Sequence, residues 1–304
     1  MPFFLLRGIA LGLTLWGLAA LSNENFRAMV VLLGLTHYVV AFLYSRHIAR
    51  SFGQRGSSAV GAFSLLTLIT LAMALKQSPP ILFFFGIHHV LSEVYIPQTI
   101  YQDLSTALTS SFTKFVRGMF HFLCYLFAVR GNMTQIFIAL PEPPENMWII
   151  ILLVSAIIYV FSILRSKMAS NIKLDFLLSE SLFFFLAFRY YGQGVGIHTL
   201  LCYHFVFWAI YPLFKLKKSG FGALRSYTIL SIGIAFLIFL SFISMAKGDL
   251  AHVARVLILH GTQPLLFFGY LHIGLSFALS KDNPIFIRRF FSSVERVEMS
   301  KANS

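Results

Sequence analysis

Apolar segments separated by short polar ones follow one another from residue 3 to about residue 280. A helix needs roughly 20 apolar residues, in a range of about 17–25, to cross the hydrocarbon core of a bilayer. By that measure the chain contains ten membrane-spanning helices, at residues 3–22, 27–45, 58–75, 80–97, 116–138, 147–164, 174–190, 194–214, 226–246 and 256–279. The pattern therefore predicts an all-α, polytopic membrane helix bundle.

Two of these spans need comment. The segment Arg130-Gly131-Asn132 interrupts the fifth span, so a shorter helix followed by a re-entrant piece is the alternative there. The first span has no small-residue cleavage site before the polar residues that begin at Ser22. We therefore interpret the first span as a retained helix and not as a signal peptide.

Basic residues indicate how the spans are oriented, because they concentrate in the loops that flank the cytoplasmic side of a membrane protein. With ten helices, all the basic loops fall on one side, whereas the other side holds the acidic segment 141–146. Both termini are then expected in the cytoplasm. Residues 1–285 form a single transmembrane helical domain, and residues 286–304 form a basic cytoplasmic tail. The basic loops contain Arg46, Arg50, Arg55, Lys114, Arg117, Arg165, Lys167, Lys173, Lys215, Lys217, Lys218, Arg225, Lys281, Arg288, Arg289 and Arg296.

The composition agrees with a membrane protein and excludes two other classes. Hydrophobic residues make up 58% of the chain and charged residues only 12%, against about 25% charged residues in a soluble domain. The net charge of +13 lies in short loops between spans, which is typical of topology signals and not of a nucleic-acid surface. Cys124 and Cys202 both lie inside apolar segments, so the sequence supports neither a disulfide framework nor a cysteine zinc site.

Histidines occur near the middle of several spans. The fourth span carries His88 and His89 at its centre, and His37 and His204 lie close to the middle of the second and eighth spans. His272 falls in the cytoplasmic half of the tenth span at a helix rise of about 1.5 Å per residue. Ionisable side chains are expensive in hydrocarbon and normally face a protein interior or a functional site. We therefore expect these histidines to converge inside the bundle.

Two carboxylates lie at a similar depth. Glu93 follows His89 by four residues, so both lie on one helix face and form either a self-satisfied buried pair or a ligand with its supporting carboxylate. Glu180 lies in the seventh span and is either such a supporting group or a structural partner of Arg189 or of a tyrosine. Glycine-rich phosphate loops, His-Glu-x-x-His and Gly-x-Ser-x-Gly motifs, and desaturase-type histidine boxes are missing from the sequence.

Four short histidine segments, taken in order, resemble those of a known family. They are Gly-Leu-Thr-His at 34–37, Ile-His-His-Val-Leu-Ser-Glu at 87–93, the two-histidine stretch 197–205, and Leu-His-Ile-Gly-Leu-Ser at 271–276. Together they resemble the Brp/Blh family of integral membrane β-carotene 15,15′-dioxygenases. The family's counterparts are Gly-Leu-Pro-His, Ile-His-Phe-Gly-x-x-Asp, a paired-histidine helix and a last histidine helix. Glu93 stands where the family has an aspartate, and His121 matches a histidine of the middle segment.

The resemblance implies a non-haem Fe(II) site with the four ligands His37, His88, His204 and His272. His89 is the substitute for His88, and His198 is the substitute for His204. His198 and His204 are six residues apart, about 240° around a helix, so both cannot face one ion without distortion. Glu93 and Glu180 would hydrogen-bond the distal ring nitrogens of the ligands as the catalytic carboxylates. Imidazole alone suits iron, copper and zinc, so the identity of the metal follows from the resemblance.

The implied reaction is the cleavage of a carotenoid by O₂, β-carotene to retinal, with the lipophilic substrate entering from the bilayer of a bacterial cell membrane. Two alternatives from other classes remain open on the residues alone. Paired histidines on facing helices could ligate a b-type haem. Histidines and glutamates could instead form the proton relay of a transporter, although internal repeats and broken helices, which are frequent in transporters, are not evident in this chain.

Overall fold

The computed structural model describes residues 2–52, 85–90, 92, 100–101, 111–128, 144–189, 196–216 and 220–279. Helices are the only regular secondary structure in these ranges, and strands are not found there, so the all-α fold class is confirmed for this part of the chain. In chain order the helices are α1 (Pro2–Ala20), α2 (Asn23–Phe52), α3 (Ser111–Ala128), α4 (Glu145–Arg165), α5 (Ser170–Arg189), α6 (Gly196–Leu216), α7 (Phe221–Met245) and α8 (Leu250–Leu279).

These eight helices correspond to all the predicted spans except the third and the fourth. The third span (58–75) lies outside the described residues, and the fourth (80–97) is described as helical at residues 85–90 and 92. The interruption at 130–132 and the basic tail at 286–304 also lie outside them. The count of ten spans and the cytoplasmic location of the termini therefore stay predictions.

Six of the helices are long and apolar enough to cross a membrane by length and composition. They are Pro2–Ala20, Asn23–Leu43, Glu145–Arg165, Ile197–Phe214, Phe221–Met245 and Leu250–Ile273. Large apolar side chains such as Ile157 and Ile232 are exposed on their outer faces, as expected of surfaces that contact lipid tails. Helices α3 and α5 are not among these six, and they carry the buried charged side chains of Arg117, Asp175 and Glu180.

The helices pack into two groups. Helices α1, α3, α4, α5 and α6 enclose the largest hydrophobic core. Helices α2, α7 and α8 enclose a smaller core around Val31, Phe242 and Leu257. A third cluster, with Phe26 and Tyr38 of α2 against Cys202 and Phe205 of α6, joins the two groups. Polar side chains that lie between the groups are therefore shielded from the lipid on several sides.

Side-chain contacts show which helices run in the same direction. Phe3 and Arg7 of α1 contact Asp175 and Glu180 of α5, at successive turns from the start of each helix, so α1 and α5 are parallel. Helices α2 and α8 are also parallel, because Gly261 lies against Val31 and Leu265 lies against Gly34. Both relations agree with an alternating bundle, in which the first and seventh spans share one direction and the second and tenth share the other.

Reporter fusions test the orientation. Fusions after residues 50, 168, 220 and 290 should all report the cytoplasm, because each point lies in a basic loop or tail. Fusions near residues 144 and 249 should report the opposite side. If every fusion beyond residue 130 gave the inverted result, the fifth segment would not cross the membrane, and the depths assigned to the later histidines would be wrong.

Candidate functional site

Four histidine rings from four separate segments form a closed circuit of contacts. His37 of α2 lies 4.9 Å from His272 of α8, measured between ring centroids, and His272 lies 5.1 Å from His88 of the helical segment 85–90. His88 lies 5.6 Å from His204 of α6, and His204 lies 5.7 Å from His37, which closes the circuit. We call these four residues the histidine quartet. The expectation that mid-membrane histidines converge is confirmed for these four rings.

Burial leaves ring nitrogens of the quartet without partners. His88 and His204 are buried, and His37 and His272 are partly buried. Within the part of the chain that the structure describes, Nε2 of His37 and Nδ1 of His88 are buried and have no hydrogen-bond partner. Leaving a buried polar atom unsatisfied costs about 1–3 kcal/mol. Such atoms in a bundle core are suited to a ligand that takes up their lone pairs.

The spacing of the four rings fits one transition-metal ion. Imidazole nitrogens bind such ions at about 2.0–2.1 Å, so the centroids of rings that are neighbours around one ion lie roughly 5 Å apart. Neighbouring rings of the quartet are 4.9–5.7 Å apart but meet edge to face, at 66–84° between planes. In these orientations, no group of three or more His, Cys, Asp or Glu in the described ranges could hold a metal ion. Binding would require the rings to turn about their side-chain torsions.

Two glycines bring the histidine-bearing segments close together. A Cβ atom on Gly34, one turn before His37, would overlap Leu265 of α8 and would lie 2.8 Å from the Phe205 ring of α6. A Cβ atom on Gly86 would lie 2.5 Å from the Tyr125 ring of α3. Since larger side chains would force these elements apart, Gly34 allows α2 to approach the helices that carry His204 and His272, and Gly86 allows the segment that carries His88 to pack against α3.

Aromatic side chains enclose the quartet. Tyr38 and Phe205 both lie 5.5 Å from His37, and Tyr38 lies 5.4 Å from His272. Phe85 lies 5.1 Å from His204, and Trp208 lies 6.3 Å from it. The quartet therefore has apolar walls, which exclude water from the space between the rings.

A fifth histidine, His89, lies beside the quartet. Its ring stacks between Phe85 and Phe183, at 6.2 and 5.2 Å, and lies 5.8 Å from His204. Its other histidine neighbour is His121 of α3, at 6.2 Å. We predicted His89 as the substitute for His88. The structure instead places both histidines at the site, with His88 in the circuit and His89 against one edge of it.

His198, the substitute predicted for His204, occupies a different position. It lies near the start of α6, is partly exposed, and has a buried Nδ1 atom without a hydrogen-bond partner among the described residues. Of the two, it is His204 whose ring contacts His37 and His88. The structure therefore selects His204 as the quartet member on α6.

A second polar site, the ionic cluster, consists of Arg7, Arg117, His121 and Glu180. Glu180 of α5 accepts hydrogen bonds from Arg7 Nη1 at 2.9 Å and from Arg117 Nε at 2.8 Å. His121 contacts the same carboxylate through its Nε2 atom. Glu180 is 3% exposed and Arg7 is fully buried. Opposite charges without access to water attract strongly, so this cluster ties α1, α3 and α5 together.

The prediction for Glu180 needs a correction. We expected its carboxylate to hydrogen-bond the ring nitrogens of ligand histidines, or to pair with Arg189 or a tyrosine. Both of its oxygens are instead engaged by Arg7, Arg117 and His121. Two guanidinium groups attract the carboxylate more strongly than a neutral imidazole does, which explains its position. The other predicted catalytic carboxylate, Glu93, lies outside the described residues.

Sequence reasoning missed the arginines of this cluster. Arg117 was counted among the basic residues that mark the cytoplasmic loops, but it is buried within α3. Arg7 was passed over, although an arginine inside an apolar segment is a functional or structural signal in itself. A search for the charges that must neutralise Glu180 would have found both.

Asp175 fixes the beginning of α1. Its two carboxylate oxygens accept hydrogen bonds from the backbone N–H groups of Phe3 and Phe4, at 3.1 and 2.9 Å. These groups belong to the first turn of the helix, where no intrahelical acceptor exists and the helix dipole favours a negative charge. Asp175 therefore sets the position of α1 along α5. Its contact with α1 lies one turn before the contact between Arg7 and Glu180.

Comparison with known proteins yields no match to a family model, to a curated protein or to a solved structure. The resemblance to the Brp/Blh family therefore depends on the histidine segments themselves.

Removing the Glu180 carboxylate should be strongly destabilising. Glu180→Ala removes the carboxylate that both buried guanidinium groups contact, and breaking a buried ion pair in this way costs about 3–5 kcal/mol. Glu24→Ala is the matched control, because Glu24 is half-exposed and lies 3.7 Å from the exposed Arg255, so its loss should cost about 0–1 kcal/mol. Denaturant unfolding in detergent measures both changes. Equal stability of the two variants would contradict the role given to the ionic cluster.

Proposed function

We propose that this protein is a membrane-embedded, non-haem iron oxygenase that acts on a lipophilic substrate. The observation that carries the proposal is the closed circuit of His37, His88, His204 and His272, with neighbouring centroids 4.9–5.7 Å apart. Burying four imidazoles from four segments close together costs free energy, and a ligand bound by all four would offset that cost. Imidazole is the commonest metal ligand in proteins.

The quartet residues would hold the ion, and His89 would stand next to His204 at the edge of the site. Iron held there would supply the activation of O₂ that reaction with an organic substrate requires. Iron is chosen over copper and zinc because of the resemblance to the Brp/Blh family. The rings themselves suit all three metals.

The surroundings of the quartet favour an apolar substrate. Tyr38, Phe85, Phe205 and Trp208 present aromatic rings to it, and the six apolar helices point to a bilayer as the surrounding medium. A substrate dissolved in the membrane could reach such a site without crossing water. A carotenoid has this character, and β-carotene is the substrate that the resemblance implies.

The proposed reaction inserts both atoms of O₂ across one carbon–carbon double bond, which breaks and becomes two aldehyde groups. This reaction requires no external reductant and no net proton transfer. The position of Glu180 is consistent with it, because the carboxylate is engaged by two arginines and is not required as a general base. The aromatic walls would hold the polyene straight and keep water away from the reacting carbons.

Metal analysis of the purified protein tests the quartet. We expect about one transition-metal ion per chain, because four imidazoles are enough to fill most positions of one ion. His37→Ala and His272→Ala should each remove most of the metal, whereas His252→Ala should not, since His252 is exposed and paired with Asp249. Equal metal content in the three variants would refute the site, and an intense absorption band near the blue would indicate haem instead.

The substrate can be tested in cells that make β-carotene. Expression of the protein should bleach the orange colour and yield retinal, and His88→Ala should abolish the bleaching because it opens the quartet. His260→Ala is the control, since His260 is exposed on α8. Unchanged pigment with a metal-loaded protein would exclude β-carotene and leave another lipophilic substrate. Unchanged pigment with a metal-free protein would favour a proton-coupled transporter.

A further inference from the structure

Phe183 of α5 lies where the ionic cluster borders the histidines. It is 1% exposed. The guanidinium carbon of Arg7 lies 5.3 Å from its ring centroid, and the His121 ring lies 4.7 Å from it. The His89 ring stacks on it at 5.2 Å, with 26° between the planes. One aromatic ring thus touches two members of the ionic cluster and the histidine that borders the quartet.

The contacts of Phe183 continue to α6. Its ring lies 5.9 Å from that of Tyr203, the residue before His204. His89 in turn lies 5.8 Å from His204. Phe183 therefore contacts both Tyr203, which precedes His204 in the chain, and His89, which lies beside the His204 ring. A shift of the Phe183 ring would change the space available to the His204 ring.

The position of Phe183 is set from within its own helix. Glu180 lies three residues earlier, and this spacing places the two side chains on the same face of α5. Because Glu180 is held by Arg7 and Arg117, α5 can neither rotate nor slide without breaking buried ion pairs. The Phe183 ring, one turn after Glu180, is therefore held in place together with α5. The Arg7 guanidinium above this ring adds a cation–π attraction.

We propose that Phe183 is a positioning residue for the quartet: it transmits the geometry set by the ionic cluster to His89 and, through His89 and Tyr203, to His204. This inference rests on the proposed function, because it assigns Phe183 a role in metal binding. Phe183 does not touch the ion. It limits how His89 and His204 can turn, and so it determines whether the quartet presents its nitrogens to one centre. Groups that orient metal ligands in this way commonly change metal affinity by about 10–100-fold when they are replaced.

The test uses Co²⁺ as the probe metal and the full-length protein in detergent. The visible absorption bands of bound Co²⁺ report coordination geometry, and titration gives its affinity. Phe183→Leu, which keeps an apolar side chain but removes the flat ring, should still fold and bind Co²⁺, with altered bands and an affinity about 10–100-fold lower. The matched control is Phe185→Leu, two residues further along the same helix, because Phe185 is 51% exposed and faces away from the core. It should give the wild-type spectrum.

A second variant separates transmission from simple packing. Glu180→Gln should change the Co²⁺ bands in the same direction as Phe183→Leu, and the double variant should bind no more weakly than the worse single one, because both changes act along one chain of contacts. Additive effects in the double variant would overturn the inference, as would wild-type bands and affinity in Phe183→Leu.

If Phe183→Leu does not fold, Phe183→Met replaces it in the test, because the unbranched methionine side chain adapts to irregular gaps. Phe183→Met should then show the altered Co²⁺ bands. If neither variant folds, Phe183 has a structural role and the inference is overturned. A wild-type protein that binds no Co²⁺ would overturn the proposed function itself. Bound Co²⁺ that is indifferent to Phe183 would leave the proposed function in place and refute the positioning role alone.

Discussion

The buried carboxylate of Glu180 is the constraint on which the packing of α1, α3 and α5 depends. Burying the guanidinium groups of Arg7 and Arg117 costs several kcal/mol per ion, and the contacts of both with Glu180 offset that cost. Three helices must therefore meet at one point, in one register, before any of the three charges can be buried. Asp175 adds to this constraint by binding the first turn of α1. Hydrophobic packing alone is not directional and would allow these helices to slide and turn.

The histidine quartet is assembled by a different principle. A neutral imidazole is far cheaper to bury than a guanidinium group, so the quartet needs no counter-charge and instead needs close approach of its helices. Gly34 allows this approach between α2, α6 and α8, and Gly86 allows the segment that carries His88 to pack against α3. The bundle thus contains a site fixed by charge and a site fixed by shape, and Phe183 lies between them.

The sequence predicts the depth of a side chain along an apolar helix better than the direction in which the side chain points around the helix axis. Depth follows from counting residues along an apolar segment, so His37, His88, His204 and His272 could be placed at one level without any structure. Rotation about the helix axis follows from the pattern of polar residues only where one face is polar, and apolar transmembrane helices have no such face. For that reason the partners of Glu180 were not predicted, and His88 could not be distinguished from His89.

Arg117 shows why the charged residues were harder to interpret than the histidines. A cation near the end of an apolar segment has two possible roles, as a topology signal in the cytoplasm or as a buried partner of a carboxylate, and its position in the sequence is the same in both. What decides between them is a carboxylate at the matching depth on another helix. Glu180 is such a group, and its charge is taken up by Arg7 and Arg117. The quartet is surrounded instead by the aromatic rings of Tyr38, Phe85, Phe205 and Trp208, an apolar environment in which neutral imidazoles can be buried without a counter-charge.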